Sequence, residues 1–202
     1  MQLLTTGGWF AVVNTTPGTT YFVQVSPSEV TTPEASPLPS AFTLSWVWNS
    51  EPANDNFANA QTISGATGSV NGSDLGATLE SGEPLSTAYS VWYQYTAPAT
   101  SAGTLNLNLS NVSQSQNINV FTGSSVTGLT TVRDGLNSYS PCTFATSPGV
   151  TYEIQIENEF LEPTSNFTLN CSWTASSGVT SADAVAGQTS SLPVRKTSAH
   201  SS

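Results

Sequence analysis

Charged residues are scarce in this chain of 202 residues. Only 8% of the residues are Asp, Glu, Lys or Arg, and three Lys/Arg against 13 Asp/Glu give a formal net charge of −10. Phosphate backbones and anionic membrane surfaces are both bound through clustered basic side chains. The composition therefore argues against nucleic acid and against an anionic membrane as partners.

Long apolar runs are lacking too, since no stretch approaches the roughly 18 apolar residues of a membrane-inserted helix. Residues 1–4 lack the basic start and apolar core of a secretory signal, so the leader of an exported protein would have been removed or would lie upstream. Ser, Thr, Asn and Gln crowd every segment and keep it soluble without charge. This composition is typical of an extracellular or cell-surface β-protein.

Histidine and cysteine are nearly absent. The single histidine, His200, lies in a Ser/Thr/Ala-rich tail, so the folded part lacks a Ser-His or Cys-His pair, and we predict that the protein is not an enzyme. The two cysteines, Cys142 and Cys171, do not have the spacing of a zinc site. Both fall on inward-facing strand positions in an extracellular type of sequence, so we predict a disulfide between them.

The chain does contain an internal repeat. Pro-Gly-Val-Thr-Tyr at 148–152 matches Pro-Gly-Thr-Thr-Tyr at 17–21, and Phe-Thr-Leu at 167–169 matches the same residues at 42–44. The offsets are 131 and 125 residues, so the intervening loops differ by six residues. The repeat predicts tandem units. These are a partial unit at 1–49 that keeps its last strands, a complete unit at 50–174, and a tail at 175–202 that has no core of its own.

Short alternating segments separated by Gly, Pro, Asn and Ser predict an all-β fold, an antiparallel, jelly-roll-like β-sandwich. We expect a single helical turn within 56–61. The predicted strands of the complete unit are 69–72, 75–80, 89–96, 104–109, 118–121, 129–133, 142–145, 151–157 and 167–174.

The complete unit resembles the bacterial pre-peptidase C-terminal domain, which is related to the collagen-binding modules of collagenases. The matching stretches are Asn-Asp-Asn-Phe-Ala-Asn-Ala at 54–60, Ser-Val-Trp-Tyr-Gln-Tyr-Thr-Ala-Pro at 90–98, Val-Phe-Thr-Gly-Ser-Ser at 120–125, Pro-Gly-Val-Thr-Tyr at 148–152 and Asn-Phe-Thr-Leu at 166–169. The resemblance covers about 52–174, and in partial form 1–49. It implies a β-sandwich accessory domain of a secreted or surface protein, and it leaves the particular duty open.

Calcium is the metal that the resemblance implies, because the acidic entrance segment of the collagenase modules is a calcium site. Here Asp55, Asp74 and Glu80 come from loops near the start of the unit, and Asn54 adds a neutral oxygen donor, as a hard cation prefers. The alternative is that Asp55 and Asn56 cap a turn before Phe57.

Two further patterns each have a bland interpretation and a functional one. Glu153, Gln155 and Glu157 alternate with apolar residues, which predicts a solvated strand face, with a carboxylate pair for glycoside hydrolysis as the alternative. Aromatic residues at alternating positions predict core packing, with stacking on glycan rings or a protein ligand as the alternative. They are Trp9, Trp46, Trp48, Trp92, Tyr93, Tyr95 and Trp173.

The partial unit has apolar strand faces that need a covering sheet. We predict a non-enzymatic extracellular structural or adhesive protein, a subunit of a surface filament or matrix whose copies complement one another's strands. The alternative is a glycan- or protein-binding accessory module of a secreted hydrolase. The expected assembly residues are Tyr21, Val23, Val25, Phe42, Leu44, Trp46 and Trp48, with Val185 and Leu192 in the tail.

Overall fold

The structure is a computed structural model that describes residues 11, 13, 15–25, 41–84, 89–113, 115–137, 140–158 and 166–176. Within these ranges no helix is long and apolar enough to cross a membrane. Two short 3-10 turns, Phe57–Asn59 and Val126–Gly128, accompany the strands. The strands are β1 (Gln61–Ile63), β2 (Thr67–Ser73), β3 (Ser90–Thr96), β4 (Gly103–Ser110), β5 (Gln116–Thr122), β6 (Thr130–Asn137), β7 (Cys142–Thr146), β8 (Thr151–Asn158) and β9 (Asn166–Ala175).

These strands form two sheets, and the predicted β-sandwich is confirmed. The five-stranded sheet has the order β1-β3-β8-β5-β6, and the four-stranded sheet has the order β2-β9-β4-β7. All pairs are antiparallel except β1 with β3. Strand alternation builds the core, as in β4, where Leu105, Leu107 and Leu109 are buried between exposed or half-buried polar residues.

One predicted strand is wrong and one observed strand was missed. The segment 75–80 turns instead of extending, because Gly76 adopts φ +80° and the Ala77 N–H donates to the Asp74 carbonyl at 2.9 Å. The missed strand, β1, is three residues long and too short to show a period. The expected helical turn is present as the 3-10 turn at Phe57–Asn59.

The two cysteines face the core as expected, but they are free, so the predicted disulfide is wrong. Cys142 on β7 and Cys171 on β9 both pair with Leu107, which lies on β4 between them. Two strand spacings of about 4.8 Å separate their Cα atoms by roughly 9–10 Å, whereas a disulfide needs less than about 7 Å. Burial raises the pKa of the Cys142 thiol to about 11, which keeps it protonated.

The same turn occurs in both halves of the sequence repeat. The Thr16 N–H donates to the Tyr21 hydroxyl at 2.8 Å, and the Ser147 N–H donates to the Tyr152 hydroxyl at 2.8 Å. The central glycines have φ +76° at Gly18 and +70° at position 149, in the left-handed region that favours glycine. The repeated sequence therefore specifies a repeated local geometry.

The strands expected after the first turn are not formed in the single chain. Among the described residues, 15–25 and 41–50 belong to no strand. The predicted strand at 9–13 is described only at Ala11 and Val13, and neither is in a strand. The Pro-rich loop around 27–39 and the tail from 177 onward, with Val185 and Leu192, lie outside the described residues.

The free cysteines give a direct chemical prediction. We expect two reactive thiols per chain when the protein is unfolded without reductant, and slow reaction in the native state because both side chains are buried. Titration with a thiol reagent, with and without denaturant, measures this. Fewer than two thiols in the unreduced, unfolded protein would contradict the strand register.

A second prediction concerns Gly72 on β2. A Cβ atom there would lie 2.6 Å from ring carbons of Phe167 and would also meet the Tyr93 hydroxyl. Gly72→Ala should therefore cost about 1–3 kcal/mol of unfolding free energy. Gly68→Ala is the matched control, because its nearest atom is 3.8 Å away. Urea unfolding measures both, and equal losses would show that packing at Gly72 is not the cause.

Candidate functional site

The outer face of the five-stranded sheet is covered, so the predicted solvated face is wrong. Glu153, Gln155 and Glu157 on β8 are only 7%, 0% and 5% exposed. On the same face, Trp92 packs edge-on against Phe57, with ring centroids 5.2 Å apart. The segments around 57 and 77–84 form a third layer over this face, and alternation alone does not reveal such a layer.

Glu83 connects this layer to two strands of the sheet. Its Oε1 accepts a hydrogen bond from the Trp92 indole N–H at 3.1 Å, and its Oε2 accepts from the Ser90 hydroxyl at 2.7 Å. The same Oε2 accepts from the Gln155 amide at 3.3 Å. Burial raises the pKa of Glu83, although the hydrogen bonds from Ser90 and Trp92 act in the opposite direction.

The hydrogen bonds continue from Gln155 to the far edge of the sheet. The side-chain amide of Asn119 on β5 donates to the side-chain oxygen of Gln155, Oε1, at 3.2 Å. The side-chain oxygen of Asn119 accepts from the Gly135 N–H on β6 at 2.8 Å. The sequence contained one signal of this network. Trp92 and Phe121 share the polar face of their strands, and such mixing indicates that the face is covered rather than solvated.

Asp74 is a buried carboxylate that lies just after β2. Its Oδ2 accepts from the Gln116 amide at 3.1 Å, and Asn158 is also a hydrogen-bond partner. Burial raises the pKa of Asp74 to about 6, against the lowering effect of these hydrogen bonds. Asp74 and Glu83 thus have separate sets of partners, and both carboxylates are used within the fold.

The predicted calcium ligands have protein partners instead. Asp55 accepts from the Thr78 N–H and the Thr78 hydroxyl, both at 2.6 Å, and Glu80 accepts from the Phe57 N–H at 2.9 Å. Among the described residues no group of three or more His, Cys, Asp or Glu converges on one point. This arrangement does not fit a calcium ion. The alternative role of Asn56 as a side-chain cap is not seen either, because its side chain makes no capping hydrogen bond.

Asn54, the fourth predicted ligand, completes the edge of β3. Its side-chain amide donates to the Trp92 carbonyl at 2.9 Å, and its own carbonyl accepts from the Trp92 N–H at 2.8 Å. Asn54 thereby satisfies both backbone groups of Trp92, beyond the point where β1 stops pairing with β3. Asn54 therefore pairs with the edge of β3 as a residue of a neighbouring strand would.

An open cleft of about 520 Å³ lies beside this edge, between the two sheets. Its walls are the segment 50–54, Gln61 of β1 and residues 71–73 of β2, and Tyr93 also lines it. Glu51 is the one charged residue among the lining residues. Burial raises the pKa of Tyr93 to about 12, so this hydroxyl remains a neutral hydrogen-bonding group.

The predicted assembly residues lie in the extended segments at 21–25 and 42–48. Trp46 is 83% exposed, and Phe42, Leu44, Trp48, Val23 and Val25 are exposed as well, while Tyr21 is half-buried. Six of their seven counterparts in the repeat are buried, as with Leu169 for Leu44, and Trp173, the counterpart of Trp48, is half-buried. The same sequence pattern is therefore core in one half of the chain and solvent-exposed in the other.

The aromatic residues divide in the same way. Tyr93 and Tyr95 are buried core residues, as their alternation predicts, whereas Trp92 is buried on the opposite face of β3, beneath the third layer. Trp173 is half-buried and donates to the Thr146 hydroxyl at 2.8 Å. Trp46 and Trp48 are exposed, and Trp9 lies outside the described residues.

Comparison with known proteins finds neither a matching family model nor a matching curated protein. Solved structures with a similar arrangement include the periplasmic g-type lysozyme inhibitor PliG of Aeromonas hydrophila, at 15% identity and a TM-score of 0.40, covering 57% of this chain and 96% of that one. Another is the pre-peptidase C-terminal domain of a Bacillus anthracis collagenase, at 15% identity and a TM-score of 0.39, covering 62% and 100%.

A third is the Yersinia pseudotuberculosis-derived mitogen, at 14% identity and a TM-score of 0.36, covering 52% of this chain and 84% of that one. Likenesses at this level concern the arrangement of strands and carry no argument about function. The functional argument therefore comes from the residues of this chain.

The raised pKa of Asp74 makes stability depend on pH. Because the folded-state pKa of Asp74 lies above its ordinary value of 3.8, folding favours the protonated carboxyl. Its contribution to stability is therefore present at low pH and is lost as the pH rises through about 6. We expect the melting temperature to fall between about pH 4 and pH 7, and Asp74→Asn to reduce this fall. Thermal melts followed by circular dichroism measure it.

Asp134→Asn is the control, because it removes the same charge from an exposed position on β6. An equal pH dependence in wild type and Asp74→Asn would show that Asp74 titrates alike in the folded and unfolded chains.

Proposed function

We propose that this chain is a non-enzymatic, extracellular structural or adhesive protein whose copies assemble by strand complementation into a surface filament or matrix. The observation that carries the proposal is the exposure of alternating apolar side chains at 21–25 and 42–48. The alternating apolar counterparts within 152–156 and 167–173 form the sandwich core, with Trp173 half-buried against it. An uncovered core pattern of this kind recruits further strands.

The magnitudes are compatible with assembly. Burying an apolar side chain contributes about 1.5–3 kcal/mol, so Val23, Val25, Phe42, Leu44 and the two exposed tryptophans offer on the order of 10 kcal/mol. This is comparable to the entropic cost of association, about 4–15 kcal/mol. A contact in which one copy donates and the next accepts does not close on itself, and it generates a filament. In this proposal the tail, with Val185 and Leu192, adds a second contact.

The hydrogen-bonded carboxylates of Glu83 and Asp55 support a role without catalysis. Glu83 accepts hydrogen bonds from Ser90, Trp92 and Gln155, and Asp55 accepts two from Thr78, so these oxygens are used to hold the fold. A low content of charge and abundant Ser, Thr and Asn support an extracellular or cell-surface location.

A second candidate function is a glycan- or protein-binding accessory module of a secreted hydrolase. The cleft beside β2 favours it, because the lining mixes polar and apolar residues with a single charge and the exposed Trp46 and Trp48 are suited to stacking on sugar rings. In that case residues 1–49 are the end of a preceding unit. Binding of a neutral glycan by a chain that stays monomeric distinguishes this candidate from assembly.

We expect Leu44→Asp to disrupt assembly, because it places a charge in the apolar face that the partner covers. Sedimentation velocity over a concentration series should show large species for the wild type and monomer for Leu44→Asp. Leu79→Asp is the matched control, since Leu79 is 52% exposed and Leu44 is 47% exposed. It should assemble as the wild type does.

The emission of Trp46 and Trp48 gives a second readout, which should shift to the blue on assembly. A wild-type protein that stays monomeric at high concentration with both tryptophans open to quenching would contradict the proposal. So would a Leu44→Asp chain that assembles normally.

A further inference from the structure

The four-stranded sheet lacks charge entirely. No Asp, Glu, Lys or Arg occurs in β2, β4, β7 or β9, and their outer face consists mainly of Ser, Thr and Asn. In register, Asn71 of β2 lies beside Thr168 of β9, and Asn108 of β4 lies beside Asn170 of β9. A neutral polar face of this kind offers nothing that would repel another neutral strand at its edge.

The edges of the two sheets differ in their protection. β6 carries Arg133 and Asp134 and has two register shifts against β5, which are devices that block further pairing. β1 has only three residues. β2, by contrast, has seven residues with neither a charge nor a proline, and its pairing with β9 runs without a shift. A long, regular and uncharged edge of this kind is a template for another strand.

The remaining edge strand, β7, has fully buried inward-facing side chains, whereas those of β2 are only partly covered. The inward residues of β7, which are Cys142, Phe144 and Thr146, are all buried, whereas the inward Val70 of β2 is half-buried. The open cleft lies beside residues 71–73 of β2. Additional apolar side chains therefore have space at the β2 edge that the β7 edge does not provide.

We propose that the edge of β2, which pairs with no described strand other than β9, accepts residues 42–48 of a second copy of this chain as an added strand. This inference rests on the proposed assembly and names its acceptor. The donor segment Phe-Thr-Leu-Ser-Trp-Val-Trp has seven residues, no charge and a period of two, which match the length and neutrality of β2. Main-chain hydrogen bonds supply the affinity, and alternate side chains enter the cleft.

The alternation of the donor fits both sides of the extended sheet. Phe42, Leu44, Trp46 and Trp48 share one face and cover the cleft beside Val70 and Tyr93. Thr43, Ser45 and Val47 share the other face, where Thr43 and Ser45 continue the Ser, Thr and Asn surface. Residues opposite each other in neighbouring strands share a face, so this placement needs a register in which Ser45 stands opposite Ser69 or Asn71 rather than Val70, one residue away from end-to-end overlap.

The test places lysines on the edge of the full-length chain. Ser69→Lys/Asn71→Lys introduces two charges on exposed positions of β2, and Asn108→Lys/Ser110→Lys introduces the same charges on exposed positions of β4, which is an interior strand of the same sheet. The edge variant should raise the concentration for half-assembly by about tenfold or more, and the interior variant should resemble the wild type.

A cross-linking experiment tests the same contact without altered charge. A Ser45→Cys chain mixed with a Ser69→Cys chain should yield a cross-linked dimer under mild oxidation, whereas a Ser45→Cys chain mixed with Asn108→Cys should not. This readout decides the question if the lysine variant does not fold.

The outcomes separate the two proposals. If Leu44→Asp abolishes assembly while the edge lysines and the cysteine pair have no effect, the acceptor is elsewhere and the assembly proposal stands. Equal losses in both lysine variants also overturn the β2 assignment. A monomeric wild type overturns both proposals, and one in which Trp46 and Trp48 are protected from quenching shows that the strand is added within its own chain.

Discussion

The hydrogen bonds that Glu83 accepts from Ser90, Trp92 and Gln155 hold a third layer onto the sandwich. Hydrogen bonds to a charged group contribute about 1.5–3 kcal/mol each, and the desolvation that raises the pKa of Glu83 offsets part of this gain. The hydrogen bonds of Asp55 with Thr78 and of Glu80 with the Phe57 N–H hold the same covering segments together. Glu83 is the carboxylate that ties these segments directly to strands β3 and β8.

Alternation in the sequence predicted the strands well, because it reports directly on the two faces of a strand. Leu105, Leu107 and Leu109 identified β4, and eight of the nine predicted strands of the complete unit correspond to observed ones. Alternation does not say which face a third layer covers, so Glu153 was placed in solvent. Nor does the inward parity of Cys142 and Cys171 reveal that β4 lies between them, because strand order is a property of the whole sheet.

The two halves of the repeat separate what local sequence can specify from what the sheet must supply. The turn at 16–21 has the same hydrogen bond to a tyrosine hydroxyl as the turn at 147–152. Beyond the turns the halves diverge, since 151–158 is a strand between β3 and β5 and 21–25 is not in a strand. A turn closes on its own contacts, whereas a strand exists only when a neighbour accepts its backbone hydrogen bonds.

The absence of charge from the four-stranded sheet makes the molecule electrically one-sided. The described acidic residues lie on the five-stranded sheet, in the loops, or at Asp74 just beyond the end of β2. At about 0.1 M salt, interactions between exposed charges more than about 10 Å apart are largely screened. A neutral surface has no such interactions to lose. Contacts made through this sheet would thus keep their strength from fresh water to brine, while the acidic side alone would respond to the ions around it.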